Sequence, residues 1–160
     1  MKLIPASIQD IEQVVCFEYA MLQEMVSYGG HSLADGRRVK EWLRECVKQD
    51  LQQADSLVLL AITEGKDAHP VGVVVACPMH IEEVFQPKKV LHIHAVYVTP
   101  ERRREGIGHS LVEATLAWAR EKGCVEVELN TLTNNPARHL YEHFGFHEFQ
   151  VEMRYGLKSI

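Results

Sequence analysis

The stretch "VTPERRREGIGHSLVEA", Val98 to Ala114, decides how this chain folds. Three consecutive arginines run into Gly106-Ile107-Gly108, and an apolar, helix-like run follows at once. The first turn of a helix has backbone N–H groups without intrahelical partners and a partial positive charge, so phosphate oxygens fit there. For a diphosphate to touch those amides the turn must lack bulky Cβ atoms. Gly106 and Gly108 meet that need, and glycine tolerates the positive φ angles of an anion-binding nest. Arg103 and Arg104 add charge for a polyanionic ligand. The same turn could also join a strand to a helix and bind nothing. The Walker pattern GxxxxGK[ST] is absent, as is the dinucleotide pattern GxGxxG.

Upstream of the turn, Leu3 to Ala6 reads as a short strand. Ser7 opens a helix with Asp10 in the capping-box position. Ile8, Ile11, Val14, Val15, Glu18 and Leu22 follow a helical period, which Gly29-Gly30 stops. A second helix fits Asp35 to about Gln53, with Val39, Trp42, Leu43, Cys46 and Val47 on one side. The connector "SYGGHSLADG" could line a substrate pocket or be an ordinary loop. From Ser56 the period changes. "SLVLLAITE", "VGVVVACPMHI" and "VLHIHAVYVT" read as strands joined by the turns "GKDAHP" and "QPKK".

Downstream, the helix spans about Ile107 to Lys122 and ends at Gly123. "CVEVELNTL" is a strand with Val125, Val127 and Leu129 on one face and Glu126 and Glu128 on the other. "NPARHLYEHFG" is a short helix opened by Pro136. "FHEFQVEMRYGL" closes the chain as one long strand or a hairpin. The order β-α-α-β-β-β-α-β-α-β describes a single α+β domain over residues 1–160, on a mixed sheet. The strands from Val90 and from Cys124, joined by a helix, should run parallel with a right-handed crossover.

Composition narrows the classes of function. The 160 residues carry 17 basic and 22 acidic side chains, a net charge of −5, where a nucleic-acid binder would lean the other way. The arginine cluster is therefore a local device on an acidic protein. The start of the chain has no long apolar stretch of the signal-peptide kind, and no run reaches the length of a membrane span. Cys16, Cys46, Cys77 and Cys124 form no CxxC pair and read as reduced thiols in apolar neighbourhoods. The expected compartment is the cytoplasm.

The spacing Arg103-x-x-Gly106-x-Gly108 resembles the [RQ]-x-x-G-x-[GA] signature of the GNAT superfamily, the acetyl-CoA-dependent N-acetyltransferases. Val98-Thr99-Pro100 precedes it, as is common in that family. "NNPARHLYEHFGF" looks like the family's N-x-x-A-x-x-x-Y-x-x-x-G-F segment, with Asn134, Ala137, Tyr141, Gly145 and Phe146 on its positions. The close match covers Leu91 to about Phe149, and the element order of the whole chain agrees. Arg104 departs from the pattern, standing where many relatives have glycine.

The resemblance implies a GNAT-like fold with a central mixed sheet flanked by helices and a splayed parallel strand pair. It implies acetyl-CoA as co-substrate, lying between the splayed strands, with no metal. Val96 and Val98 would meet the pantetheine arm through main-chain atoms, and the Val98 N–H would polarise the thioester carbonyl. The amides of Arg103, Arg104, Gly106, Ile107, Gly108, His109 and Ser110 would hold the pyrophosphate. Asn134 would bond the arm or cap the helix, with Ala137 beside it. Tyr141 would protonate the departing thiolate or simply pack on the core. For the base that deprotonates the amine, His92 and His94 alternate on one face of their strand, and His92 stands eleven residues before Arg103. They could equally be hydrogen-bonded sheet histidines, or zinc ligands with Cys77 or His80.

The activity implied is acetyl transfer to a primary amine, small or peptidic, by direct attack in a ternary complex. A non-catalytic acyl-CoA-binding module is the alternative. Glu18, Glu24, Asp35, Glu82 and Glu83 could attract a cationic acceptor or be solvated surface charge. The implied partners include neither nucleic acid nor membrane, and the terminal strand is a candidate edge for a homodimer.

Overall fold

The computed structural model describes residues 1–81 and 88–157, so Glu82, Glu83 and part of the "QPKK" turn lie outside the described residues. Five strands lie side by side in chain order: β1 (Lys2–Pro5), β2 (Leu57–Ile62), β3 (Pro70–Met79), β4 (Val90–Val98) and β5 (Glu126–Leu129). The first four are antiparallel, and β5 joins β4 in parallel. The helices are α1 (Ile11–Ser27), α2 (Gly36–Gln52), α3 (Ile107–Glu121) and α4 (Arg138–His143).

Both faces of the sheet are covered, which is why β3 is a run of β-branched residues rather than an alternation. Val73 and Val75 pack with Val14, Val15 and Phe17 of α1 and Leu43 and Val47 of α2. Val74 and Ala76 pack on the other side, with Ile107 and Leu111 of α3. The helix ends follow the residues expected to set them. Asp10 accepts from the Ser7 N–H at 2.8 Å, completing the capping box of a 3-10 turn, Ile8–Asp10, that leads into α1. Asp35 accepts from the amides of Arg37 and Arg38 to cap α2, and Gly123 ends α3 at a φ of 72°.

Three expectations need correction. Trp42 is not on the packed side of α2 but 61% exposed. The helical stripe through Val39, Leu43 and Val47 is narrow, and Trp42 lies on its flank. Cys16 is exposed and the other three cysteines are half-buried, although all four are free thiols. The closing segment from His147 forms no strand among the described residues, and Phe149, Val151, Met153, Tyr155 and Leu157 are between 67% and 91% exposed. Its alternation specifies which side chains share a face. A strand also needs a neighbouring ladder of N–H and C=O groups, which an alternating pattern does not supply.

Candidate active site

The parallel pairing of β4 with β5 begins at Val90 with Glu126 and stops at Ile93 with Leu129. β4 runs on to Val98, paired only with β3. The break coincides with a bulge: Val75 faces Ala95, but the next residue, Ala76, faces Ile93, so His94 is the extra residue. A bulge bends and twists its strand, and the two strands part just there. Beyond the bulge the Thr99 N–H donates to the Val71 carbonyl on β3 at 2.9 Å. Successive residues of a strand turn their N–H groups to opposite edges. The main-chain groups of Val98, and of Val96 two residues earlier, therefore face away from β3, into the fork. Their side chains pack toward α3.

The glycine turn lies at the mouth of this fork. Gly106 is left-handed at φ 82°, Ile107 begins α3, and no side chain caps the helix. Ser110 N–H already bonds the Gly106 carbonyl and Arg103 N–H the Pro100 carbonyl, whereas the amides from Arg104 to His109 make no backbone hydrogen bond among the described residues. The free run is thus shorter at both ends than the signature suggests. A Cβ on Gly108 would come within 3.3 Å of Leu140 Cδ2 and 3.9 Å of Val98 Cγ2, so this glycine lets α4 and β4 close on the turn. Arg104 is left-handed too, at φ 66°, a conformation that favours glycine.

The three arginines separate by partner. Arg102 pairs with Glu105 at 2.8 Å. Arg103 reaches back to Glu24 of α1 at 2.6 Å and donates from Nε to the Val98 carbonyl at 2.9 Å. Arg104 makes no ion pair among the described residues and is exposed. Its charge is the one that remains available to an anion at the turn.

Tyr141 and His109 tie α4 to the same mouth. His109 packs on Phe144 with ring centroids 4.5 Å apart, and Tyr141 meets Phe146 edge-on at 6.0 Å. Loss of surrounding water pushes the Tyr141 phenol up to about 12. Of the two asparagines, Asn135 takes the turn-forming role, accepting from the Ala137 N–H at 2.9 Å, and Asn134 is exposed. Two residues past β5, the buried Thr131 Oγ1 has no hydrogen-bond partner among the described residues. A buried unpaired hydroxyl is costly. Sequence reading passed over Thr131, because a threonine in a strand-like run carries no signal of its own.

His92 and His94 prove to have different surroundings. His94 Nε2 lies 3.5 Å from Asp50 of α2 and 3.8 Å from Glu18 of α1, and its Nδ1 lies 3.6 Å from Cys77 Sγ on β3. Burial alone would lower its pKa, but the contacts with Asp50 and Cys77 outweigh it and bring it to about 10. Glu18 is 4% exposed, and burial raises its carboxyl to about 7 despite His94 nearby. His92 moves the other way: burial, then the neighbouring His94, lowers it. The contacts of His94 favour its charged form, and burial favours the neutral form of His92. Glu18 and Asp50 did leave a trace in the sequence, as acidic residues within apolar helical stripes. Among the other acidic candidates, Glu24 pairs with Arg103 and Asp35 caps α2.

Among the described residues no group of three or more His, Cys, Asp or Glu side chains is arranged to hold a metal ion. His80, a candidate zinc partner, is exposed. A cavity of about 460 Å³ lies toward the opposite, β1–β2 edge of the sheet, lined by Ala6, Leu57, Ala114 and Trp118 among others. It includes no residue of the glycine turn, β4 or α4.

The family model of the acetyltransferase (GNAT) family matches residues 23–146. The chain is 34% identical over 101 residues to an aminoglycoside N(6')-acetyltransferase type 1 of Acinetobacter genomosp. 13, covering 61% of this chain and 67% of that protein. It is 30% identical over 113 residues to an uncharacterized N-acetyltransferase of Methanocaldococcus jannaschii, covering 70% of this chain and 48% of that protein. A crystal structure of a GCN5-related N-acetyltransferase from Ralstonia eutropha JMP134 has the same fold, with a TM-score of 0.76 at 22% identity over 98% of this chain and 97% of that one. So does the aminoglycoside N-acetyltransferase AAC(6')-Iy in complex with CoA, with a TM-score of 0.71 at 18% identity over 99% and 95% of the two chains.

The chain belongs to the acetyltransferase (GNAT) family. It is an acetyl-CoA-dependent N-acetyltransferase that moves an acetyl group to an amine, with acetyl-CoA as co-substrate.

Proposed function

We propose that the protein acetylates a primary amine of a small polycation of the aminoglycoside type, by direct attack on acetyl-CoA within a ternary complex. The observation that carries this reading is the fork, where β4 beyond Ile93 has no β5 partner and Val96 and Val98 turn their main-chain groups into the gap. The Val98 carbonyl already accepts from Arg103 Nε; the remaining backbone groups need partners, and the amides of the pantetheine arm are suitable ones. The uncapped turn from Arg104 to His109 then receives the pyrophosphate, with Arg104 as its cation and Thr131 and Asn134 as hydrogen-bonding groups along the arm.

In the transfer, the Val98 N–H polarises the thioester carbonyl while the amine nitrogen forms its bond to the carbonyl carbon. His92, neutral at pH 7, removes the proton from the attacking amine directly or through water. Tyr141 donates its hydrogen to the sulfur as the C–S bond breaks. Its raised pKa keeps the phenol protonated across the neutral range. One proton leaves the amine and one arrives at CoA, so no cysteine nucleophile or metal is required. His94, whose contacts with Asp50 and Cys77 favour its charged form, is the less suitable base of the two.

An acidic protein favours a cationic acceptor. Three relatives are named aminoglycoside N(6')-acetyltransferases. The natural location for such chemistry is the cytoplasm, where acetyl-CoA is available. Among the described residues no helix is long and apolar enough to cross a membrane. The exposed alternation from Phe149 to Leu157 is a candidate edge for a second copy. The test is CoA thiol release over a panel of neamine, spermidine and lysine peptides. Neamine is expected to turn over fastest. Saturable acetyl-CoA binding with no thiol release from any amine would favour the non-catalytic module instead.

A further inference from the structure

The cluster beneath the bulge is more elaborate than a catalytic histidine requires. Two acidic side chains from different helices, Glu18 at 4% and Asp50 at 9% exposure, converge on one imidazole. Buried carboxylates of this kind are expensive unless they are paired, and breaking such a pair leaves an uncompensated charge. His94 is the extra residue of β4 at the bulge, and it shares a face with His92 as residues two apart on a strand do. His92 is faced by Cys77 across β3, by Glu128 across β5 and by His94 on its own strand. His94 is faced by Cys77, Asp50 and Glu18, with Cys46 of α2 beside the two carboxylates.

We propose that Asp50, with Glu18 beside it, is a positioning residue for the base: Asp50 holds His94 as a cation at the bulge, and that cation keeps the neighbouring His92 unprotonated and ready to accept a proton from the amine. Like charges disfavour one another's ionised forms, so His92 resists protonation while His94 is charged. The carboxylates do not touch the reacting atoms. They act through His94 and, by joining α1 and α2 to β4, also fix where the bulge sits. An ordinary surface histidine titrates at about 6.5 and would be partly protonated, hence idle, in mildly acidic cytoplasm. The arrangement extends the working range of the base downward in pH.

The inference rests on the acetyl-transfer reading for its catalytic consequence, and the experiment separates the two. Imidazole NMR titration of the intact protein reads the histidines without any substrate. The pH dependence of kcat/KM with neamine reads the base. His94→Gln should raise the His92 pKa and the acidic limb of the rate profile together, by about half a unit to one unit. His94→Lys, which keeps a cation, should leave both near the wild-type position. Asp50→Asn should bring His94 into the neutral titration range and move His92 upward, and Glu18→Gln should do the same to a smaller extent. If Asp50→Asn fails to fold, the His94→Gln and His94→Lys pair still decides the question. A His92 titration unmoved by His94→Gln, or moved equally by His94→Lys, would overturn the proposal. A shifted titration with no acetylation of any amine would overturn the transfer reading and uphold the electrostatic coupling.

Discussion

The two edges of β4 differ. Against β3 it is paired from Val90 to Val98 with one bulge, and Val90, Leu91, Ile93, Ala95 and Tyr97 are buried. Against β5 it is paired for the first four residues and then stands alone. A protein that could close its sheet gains hydrogen bonds by doing so, and an open edge carries unpaired backbone. The closed edge stabilises the sheet, whereas the open edge, on the reading proposed above, leaves room for a ligand that finishes the ladder. Around the open edge lie other groups without partners among the described residues: the backbone amides from Arg104 to His109, the Thr131 hydroxyl and the Arg104 guanidinium.

Substitutions at the open edge should impair binding or turnover more than folding. The largest effect is expected from Gly108→Val. Its branched side chain would press on Leu140 and Val98 and push α4 and β4 away from the glycine turn, at some cost to stability as well. Acetyl-CoA affinity measured by calorimetry should fall by about 100-fold, or roughly 3 kcal/mol. Unaltered affinity would separate the turn from the cofactor. Tyr141→Phe should lower kcat by about 100-fold or more while leaving acetyl-CoA affinity intact. A variant with full kcat would reduce Tyr141 to a packing residue.

Two smaller changes sharpen the contrast because stability and binding should move in opposite directions. Thr131→Val removes an unpartnered hydroxyl, so the free protein should be as stable as before or more so, while KM for acetyl-CoA rises about fivefold, ~1 kcal/mol. A lowered melting temperature with unchanged KM would mean that the hydroxyl serves the fold. Arg104→Gly relieves a left-handed non-glycine residue, which should stabilise the free protein by about 1 kcal/mol and raise its melting temperature by a few degrees. Loss of the free cation should weaken acetyl-CoA binding modestly, most visibly at low salt. Stabilisation without weaker binding would show that Arg104 contributes no charge to the phosphates.

The same contrast marks what could be read in the sequence. The closed part was legible: β-branched runs, the Ser7–Asp10 cap, the Asp35 cap and the glycines around α3 each encode local geometry. The glycine turn was legible because glycine at a helix mouth is a backbone requirement written in a residue type. The point where β4 leaves β5 has no such residue signal, since it depends on a bulge at His94 that strand alternation does not reveal. The division of labour between His92 and His94 was likewise hidden. It depends on Glu18 and Asp50, which come from different helices; their places in apolar stripes show that they turn inward but not that they meet His94. The terminal segment shows the converse error, with a strand-like alternation and no partner edge.

Amide hydrogen exchange with and without acetyl-CoA tests the central claim most directly. If the ligand completes the open edge of β4, the N–H groups of Val96 and Val98 and those from Arg104 to His109 should become protected together at saturation. The amides paired between β3 and β4 should change little. Saturable binding that left Val96 and Val98 exchanging as fast as in the free protein would contradict the account.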